Sequence, residues 1–326
     1  MAETTGISWC DRTWSPWIGC TKISPACDGC YAAHLMDTRM GRVEWGPHGV
    51  RQRTSETYWR NLGKWDREAK AAGRIITVFP SLCDPWDNAA DPGIRREWFA
   101  VMRETPSLMH LLLSKRPQNA VAMARAAGGL PKNAALGATC ENQEVANRNV
   151  RHLLDAAREL YPAFTFVSAE PLLGPIDFTR IDYGTIRGHT VIRDALKASD
   201  IERIDWVITG GETGQGQHKA RPSHPDWFRL IQEQCTAAGV PYHHKQNGEW
   251  STTHPNWPRA HPTVMANDGT LYRPEDLAYP DGPRYGEAIR ANHDKAHLTN
   301  IYRVGKKLSG RLLDGVEYNG MPELRP

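Results

Sequence analysis

No apolar run in this 326-residue chain is long enough to cross a bilayer; the longest, such as Leu111-Leu112-Leu113, end after a few residues. There is no internal repeat and no low-complexity tract, and neither sign of charge dominates: the net charge of +3 is too small to announce a nucleic-acid partner, so any basic surface is local. Met1-Ala2-Glu3 opens without the charged-then-apolar pattern of an export signal, so a cytoplasmic protein with no membrane association is expected. The seven cysteines are an odd number, and three of them fall between Cys20 and Cys30, an arrangement unsuited to a disulfide framework. What remains is a globular composition, 40% hydrophobic, with 23 prolines and 28 glycines that indicate many ordered loops.

Short β-rich runs alternate with helical patterns. Strands are expected at Ile7-Ser8-Trp9, Thr13 to Ile18, Arg74 to Phe79, His110 to Leu113, Ala134 to Thr139, Phe164 to Ser168, Asp205 to Thr209 and Pro241 to His244. Helices are expected around 56–72, 95–105, 117–127, 143–160 and 225–238. Apolar strands alternating with helices predict an α/β fold with a parallel sheet, either a partial or complete (β/α) TIM-type barrel or a doubly wound sheet. Polar clusters after nearly every strand favour the barrel, because barrel enzymes gather their sites there. We expect a barrel over residues 1–250, insertions near 38–55 and 178–200, and a C-terminal extension, 251–326, packed on the barrel. That extension carries Pro255, Pro258, Pro262, Pro274, Pro280 and Pro283, then a basic stretch with Arg303, Lys306, Lys307 and Arg311.

The segment Gly19-Cys20-Thr21-Lys22-Ile23-Ser24-Pro25-Ala26-Cys27-Asp28-Gly29-Cys30-Tyr31 follows the first strand. Thiolates are the preferred ligands of iron–sulfur clusters, and three of them leave one iron open to a small molecule with an amine and a carboxylate. The competing reading adds His34, one helical turn past Cys30, to make a closed Cys₃His zinc site, as in a zinc-stabilised nucleic-acid-binding protein without catalysis. A cluster loop set in a large domain, which needs no metal staple, favours the first reading.

The loop, its place after the first strand, and the phrases Thr13-Trp14-Ser15-Pro16, Ser114-Lys115-Arg116-Pro117 and Gly210-Gly211-Glu212 resemble radical S-adenosylmethionine proteins. They are most similar to the phage-encoded three-cysteine-motif members, which look like distant relatives of spore photoproduct lyase. The common superfamily spacing is CxxxCxxC with an aromatic residue before the last cysteine. Here the first gap is six residues, Gly29 precedes Cys30, and Tyr31 follows it.

The resemblance implies a [4Fe-4S] cluster on Cys20, Cys27 and Cys30, an electron from a flavodoxin- or ferredoxin-like donor, and cleavage of S-adenosylmethionine to a 5′-deoxyadenosyl radical that takes a substrate hydrogen. It places the cofactor's amine, carboxylate and ribose near Ser81, Asp84, Lys115, Glu141 and Glu170. It further implies a monomer acting on a nucleobase, with isomerisation or rearrangement of a modified thymine side chain in phage DNA, a thymidine hypermodification, ahead of a lyase-type DNA-lesion repair.

Other residues carry two readings each. Cys83 and Cys140 follow strand ends and are either hydrogen-atom donors or buried packing. Glu212 is either a substrate-side catalytic residue or part of a glycine turn made for close backbone approach. His218, Lys219 and Arg221 are either an anion site or a solvated loop. Lys245 is a catalytic candidate, and of its neighbours on the last strand, His244 and Gln246, at least one is expected to reach the substrate. Most of the twelve tryptophans are expected in the core. Arg39, Arg42, Arg51, Arg53 and Arg60 are either a phosphate-contacting rim or a charged face.

Overall fold

The computed structural model describes residues 5–186, 188–197, 203–256, 259–273 and 298–324. The expectations resting on Met1 to Glu3, Pro258, Pro274, Pro280 and Pro283 lie outside the described residues.

In chain order the strands are β1 (Arg12–Thr13), β2 (Trp17–Ile18), β3 (Gln52–Arg53), β4 (Ile76–Phe79), β5 (Leu108–Ser114), β6 (Ala134–Thr139), β7 (Thr165–Ala169), β8 (Ile181–Ile186), β9 (His189–Arg193), β10 (Trp206–Gly210), β11 (Tyr242–Gln246), β12 (Trp250–Ser251), β13 (Thr263–Met265), β14 (Leu271–Tyr272) and β15 (Thr299–Arg303). The helices are α1 (Tyr31–Ala33), α2 (Glu56–Ala71), α3 (Pro92–Glu104), α4 (Ala120–Ala126), α5 (Gln143–Leu160) and α6 (Pro225–Ala238). Side chains set where they start: Ser55 caps α2, Asp91 with Pro92 opens α3, and Asn142 accepts from the Val145 N–H at the head of α5.

Seven strands form one sheet in the order β1-β4-β5-β6-β7-β10-β11, each parallel to its neighbours. That order never reverses, so crossovers of the usual right hand would place their helices on one face, and there is no switch point of the doubly wound kind. The two faces confirm the curl. Outward residues Leu108, Leu112, Leu136, Val167 and Val207 pack with helix residues such as Trp98, Phe99, Leu153 and Ile231. Inward residues Met109, Leu111, Ala135, Phe166, Trp206 and Ile208 meet one another and Trp9, with no helix residue among them. Gly137 is required there: a Cβ would lie 2.3 Å from the Phe166 ring. The result is a partial parallel (β/α) barrel with a filled interior.

Ile7-Ser8-Trp9 is not a strand, contrary to its β-branched and aromatic content. Trp9 instead plugs the barrel, its ring 4.6 Å from Phe79 and 6.3 Å from Trp206, so burial overrides strand propensity. The open edge of β11 is covered by the C-terminal segment, where His244 N–H donates to Tyr318 O at 3.0 Å and Gly320 N–H to Tyr242 O at 2.9 Å. The antiparallel pairs β2–β3 and β8–β9 and the sheet β12-β15-β13-β14 lie outside the barrel sheet. Among the described residues no helix is long and apolar enough to cross a membrane.

Candidate functional site at the barrel mouth

After β1 the chain runs through β2 to Gly19, whose φ of +123° suits only glycine and whose N–H donates to Leu82 O at 3.2 Å. This seats Cys20 beside Cys83 at the C-terminal end of β4. A tight turn at Pro25–Cys27 follows, Cys30 N–H donates to Cys27 O at 3.2 Å, and Cys30 takes the N-cap position of α1 with its thiol making no cap bond. Cys20, Cys27 and Cys30 all line one cavity of about 140 Å³ together with Lys115 and Thr139. The mouth of the barrel thus collects three thiols from one loop and polar groups from several strand ends.

Cys20 is held by Arg116, whose Nη1 lies 3.5 Å from its Sγ and whose Nη2 donates to Thr21 O at 2.8 Å. Burial and then Asp84 push the Cys20 thiol up to about 12, against the opposing pull of Arg116. Lys115 reports the other two thiols: burial opposes its charge, but Cys27, Cys30, Asp84 and Glu141 outweigh that and raise its pKa. Among the described residues no three His, Cys, Asp or Glu side chains converge on a single ion. His34, the fourth ligand of the zinc reading, has its ring packed against Gly216, where a Cβ would fall 2.8 Å from it. A cluster asks for less convergence, because each thiolate meets a different iron.

The residues at strand ends separate into scaffold and free groups. Asp84 accepts from Ser114 Oγ at 2.5 Å, Trp86 N at 2.9 Å, and Lys115 N and Arg116 Nη1 at 3.1 Å each, so both its oxygens are committed within the protein. Ser81 and Cys83 line the thiol cavity. Glu141 follows Thr139 on the inward face, is 0% exposed, and neither carboxyl oxygen has a hydrogen-bond partner. A buried carboxyl without a donor is costly, and a ligand amine or hydroxyl would satisfy it. Glu141 is not on the wall of the thiol cavity, but its charge acts on Lys115, which is, so the donor set of three thiols, Lys115 and this orphaned carboxyl fits a cluster with an amine- and ribose-bearing cofactor.

A second cavity, about 400 Å³, shares Ala26 with the first; it also touches Gly29 and Tyr31 and extends to Glu170, Lys245 and Gln246. Lys245 Nζ donates to Glu170 Oε1 at 2.6 Å, and Gln246 Nε2 donates to the same oxygen and to Gly211 O, each at 3.2 Å. His244 points the other way: it is 0% exposed, bonded to Thr209 and Asn247, and 4.8 Å from the Phe228 ring of α6. Cys140 also packs on the helix side, at 0% exposure, where burial drives its pKa upward.

Gly211 serves close backbone approach, since a Cβ would meet Asn247 O at 2.3 Å. Glu212 and Arg221 are joined by Nε–Oε2 at 2.9 Å and Nη2–Oε1 at 2.6 Å, with His218 Nε2 3.1 Å from Oε1. Burial works against the Glu212 carboxylate, and the Arg221 bonds more than reverse it, lowering its pKa.

Sequence reasoning did not single out Arg116 as a thiol partner, and it put Arg51 in a phosphate rim or charged face, whereas Arg51 is buried and bonds Asp87 at 2.8 Å and Thr21 Oγ1 at 2.6 Å. Arg53 likewise pairs with Glu97 and lies over the Trp59 ring, so these two arginines brace the fold and are not a phosphate rim. A larger cavity of about 900 Å³ in the C-terminal sheet has no thiol or carboxyl among its described lining residues.

A search of curated proteins finds no match. Two solved structures align at low similarity, a point mutant of spore photoproduct lyase and a double mutant of spore photoproduct lyase with bound AdoMet and dinucleoside spore photoproduct. They share 12% identity with this chain, cover 86% and 87% of it and 73% and 74% of their own lengths, and give TM-scores of 0.37 and 0.39. Residues 4–322 match the family described as "Protein of unknown function (DUF5131)", and the chain belongs to that family.

Proposed function

We propose that this protein is a radical S-adenosylmethionine enzyme acting on a nucleobase. The observation that carries this reading is the placement of Cys20, Cys27 and Cys30 around one cavity at the barrel mouth, together with Lys115, on which the charge of the fully buried and unpartnered Glu141 acts.

The three thiols would hold a [4Fe-4S] cluster, which when bound supplies the electron for reductive cleavage of S-adenosylmethionine and so the means of hydrogen abstraction. Glu141 accepts a hydrogen bond from the cofactor's amine or ribose. Lys115 offsets the negative charge of the thiolates and of the cofactor's carboxylate. Thr139 and Ser81 complete the polar wall. Asp84 holds Arg116 and the Lys115 backbone in place.

The 400 Å³ cavity is the substrate side, with Tyr31 offering a ring face to a base and the Lys245–Glu170 pair and Gln246 offering polar edges. A modified thymine in DNA is the substrate we favour, with rearrangement of its side chain as the reaction and a lyase-type repair as the alternative. Cys83 lines the cofactor cavity, so it is the better-placed of the two cysteine hydrogen donors.

Anaerobic reconstitution with iron and sulfide, followed by reductant and S-adenosylmethionine, tests the class: 5′-deoxyadenosine forms if it is right. DNA carrying modified thymine and DNA carrying a thymine lesion, offered in parallel, then separate rearrangement from repair by the product released.

A further inference from the structure

We infer that Arg221 and Glu212 form a clasp that positions the Cys27–Cys30 half of the cysteine loop, so that both are positioning residues and not ligands of substrate; the inference rests on the reading that this loop holds the cluster. The loop makes few bonds of its own beyond its tight turn. The barrel grips it at two places. At the Cys20 end, Arg116 is anchored by Asp84 at 3.1 Å and holds the thiol and Thr21 O. At the other end, Arg221 is anchored by Glu212 and donates through Nη2 to Pro25 O at 2.8 Å and through Nη1 to Asp28 Oδ2 at 3.2 Å.

The two grips share one construction: a carboxylate following a barrel strand, and an arginine spanning from it to the loop. Asp84 follows β4 and Glu212 follows β10, so the loop is pinned to opposite parts of the sheet. Arg221 has donors engaged in three directions, toward Glu212, Asp28 and Pro25, which leaves its planar fork committed to the loop.

Gly29 explains the departure from the common motif. A Cβ at this position would lie 2.7 Å from the His218 ring and 3.2 Å from Glu212 Oε1, so glycine before Cys30 lets the loop sit flush on the clasp without displacing the His218 ring. A larger side chain there would have to push the His218 ring aside, and here the aromatic follows the cysteine as Tyr31. Glu212 is itself only 5% exposed and also accepts from the Arg221 N–H at 2.8 Å, so the anchor is fixed before the loop is engaged.

The test compares the full-length protein with R221Q, E212Q and R221K in two measurements. In anaerobically reconstituted protein, iron release to a chelator should quicken about tenfold or more in R221Q and E212Q, the scale of lost outer-sphere support. R221K should not rescue it, because a single ammonium nitrogen cannot span acceptors that the guanidinium meets through three separate nitrogens. In metal-free protein, mass-resolved alkylation of Cys27 and Cys30 should rise in R221Q while Cys20, held by Arg116, keeps its wild-type rate.

The clasp is overturned if R221Q leaves iron release and both alkylation rates unchanged, or if Cys10, Cys20 and Cys235 rise together with Cys27 and Cys30, which marks general loosening. Failure of the wild type to assemble a cluster would instead defeat the cluster reading, while the alkylation pattern still decides the clasp.

Discussion

Lys245 Nζ lies 2.6 Å from Glu170 Oε1, joining the ends of β11 and β7 across the intervening β10. The bridge passes over Gly210, where a Cβ would come within 3.0 Å of the Glu170 carboxyl carbon. Lys245→Met removes the cation and leaves Glu170 with Gln246 as its remaining side-chain partner. We expect a loss of about 1–3 kcal/mol in denaturant unfolding, from a part-buried acceptor losing its donor. If the pair touches substrate, product from DNA should fall about 100-fold while cofactor cleavage without substrate continues. Equal loss of both activities would place the pair outside the substrate cavity.

Glu141 gives a prediction on the cofactor side. Glu141→Gln should keep its iron and sulfide but bind S-adenosylmethionine about 10- to 100-fold more weakly, the worth of one hydrogen bond to a charged group. Equilibrium dialysis measures this directly. Unchanged affinity would remove Glu141 from the cofactor site.

Asp84 serves stability first. It pairs with Arg116 where both side chains are only 8% exposed, and it organises Ser114 and the Lys115 backbone. Asp84→Asn should therefore cost about 3–5 kcal/mol by leaving a buried arginine uncompensated. Cys20 should also alkylate faster in the metal-free protein, since its Arg116 partner loses its anchor. A mild stability loss with unaltered Cys20 reactivity would contradict this.

Buried histidines set the acid side of the stability profile. Burial lowers His110 to about 3 and is the main cause that lowers His243 and His244 to about 4. The folded protein thus keeps them neutral, while the unfolded chain takes up protons below its ordinary value of about 6.5. Their contribution is complete above that value and is lost progressively as pH falls towards 4. Urea midpoints should decline from pH 7 to 4.5, and His110→Leu should flatten part of the slope, because neither His110 ring nitrogen has a partner to lose. A flat profile over that range would show these rings to be solvated.

The sheet was legible because its strands are apolar on both faces: Ala134–Thr139 and helix 143–160 appear with the boundaries that periodicity predicts. The thiol loop was legible because its cysteines are close in sequence. What holds the loop was not, since Arg116 meets Cys20 from 96 residues away and Arg221 meets Pro25 from 196, and no local pattern encodes such pairings. The alternation on β11 was also visible, but its phase was not. Only the packing of His244 on Phe228 and of His243 on Trp206 fixes Lys245 as the inward residue. Ile7-Ser8-Trp9 misled for the same reason, because a plug and a strand share their residue types.

The central claim is that Cys20, Cys27 and Cys30 carry a cluster with one open corner. Anaerobic purification with iron, sulfide and zinc analysis, followed by reduction in the presence of S-adenosylmethionine, tests it most directly. The account predicts a brown protein with about four irons per chain that forms 5′-deoxyadenosine, and a colourless one when all three cysteines are alanine. A protein that carries zinc in place of iron, or a triple-alanine variant that keeps its iron and its activity, would contradict it.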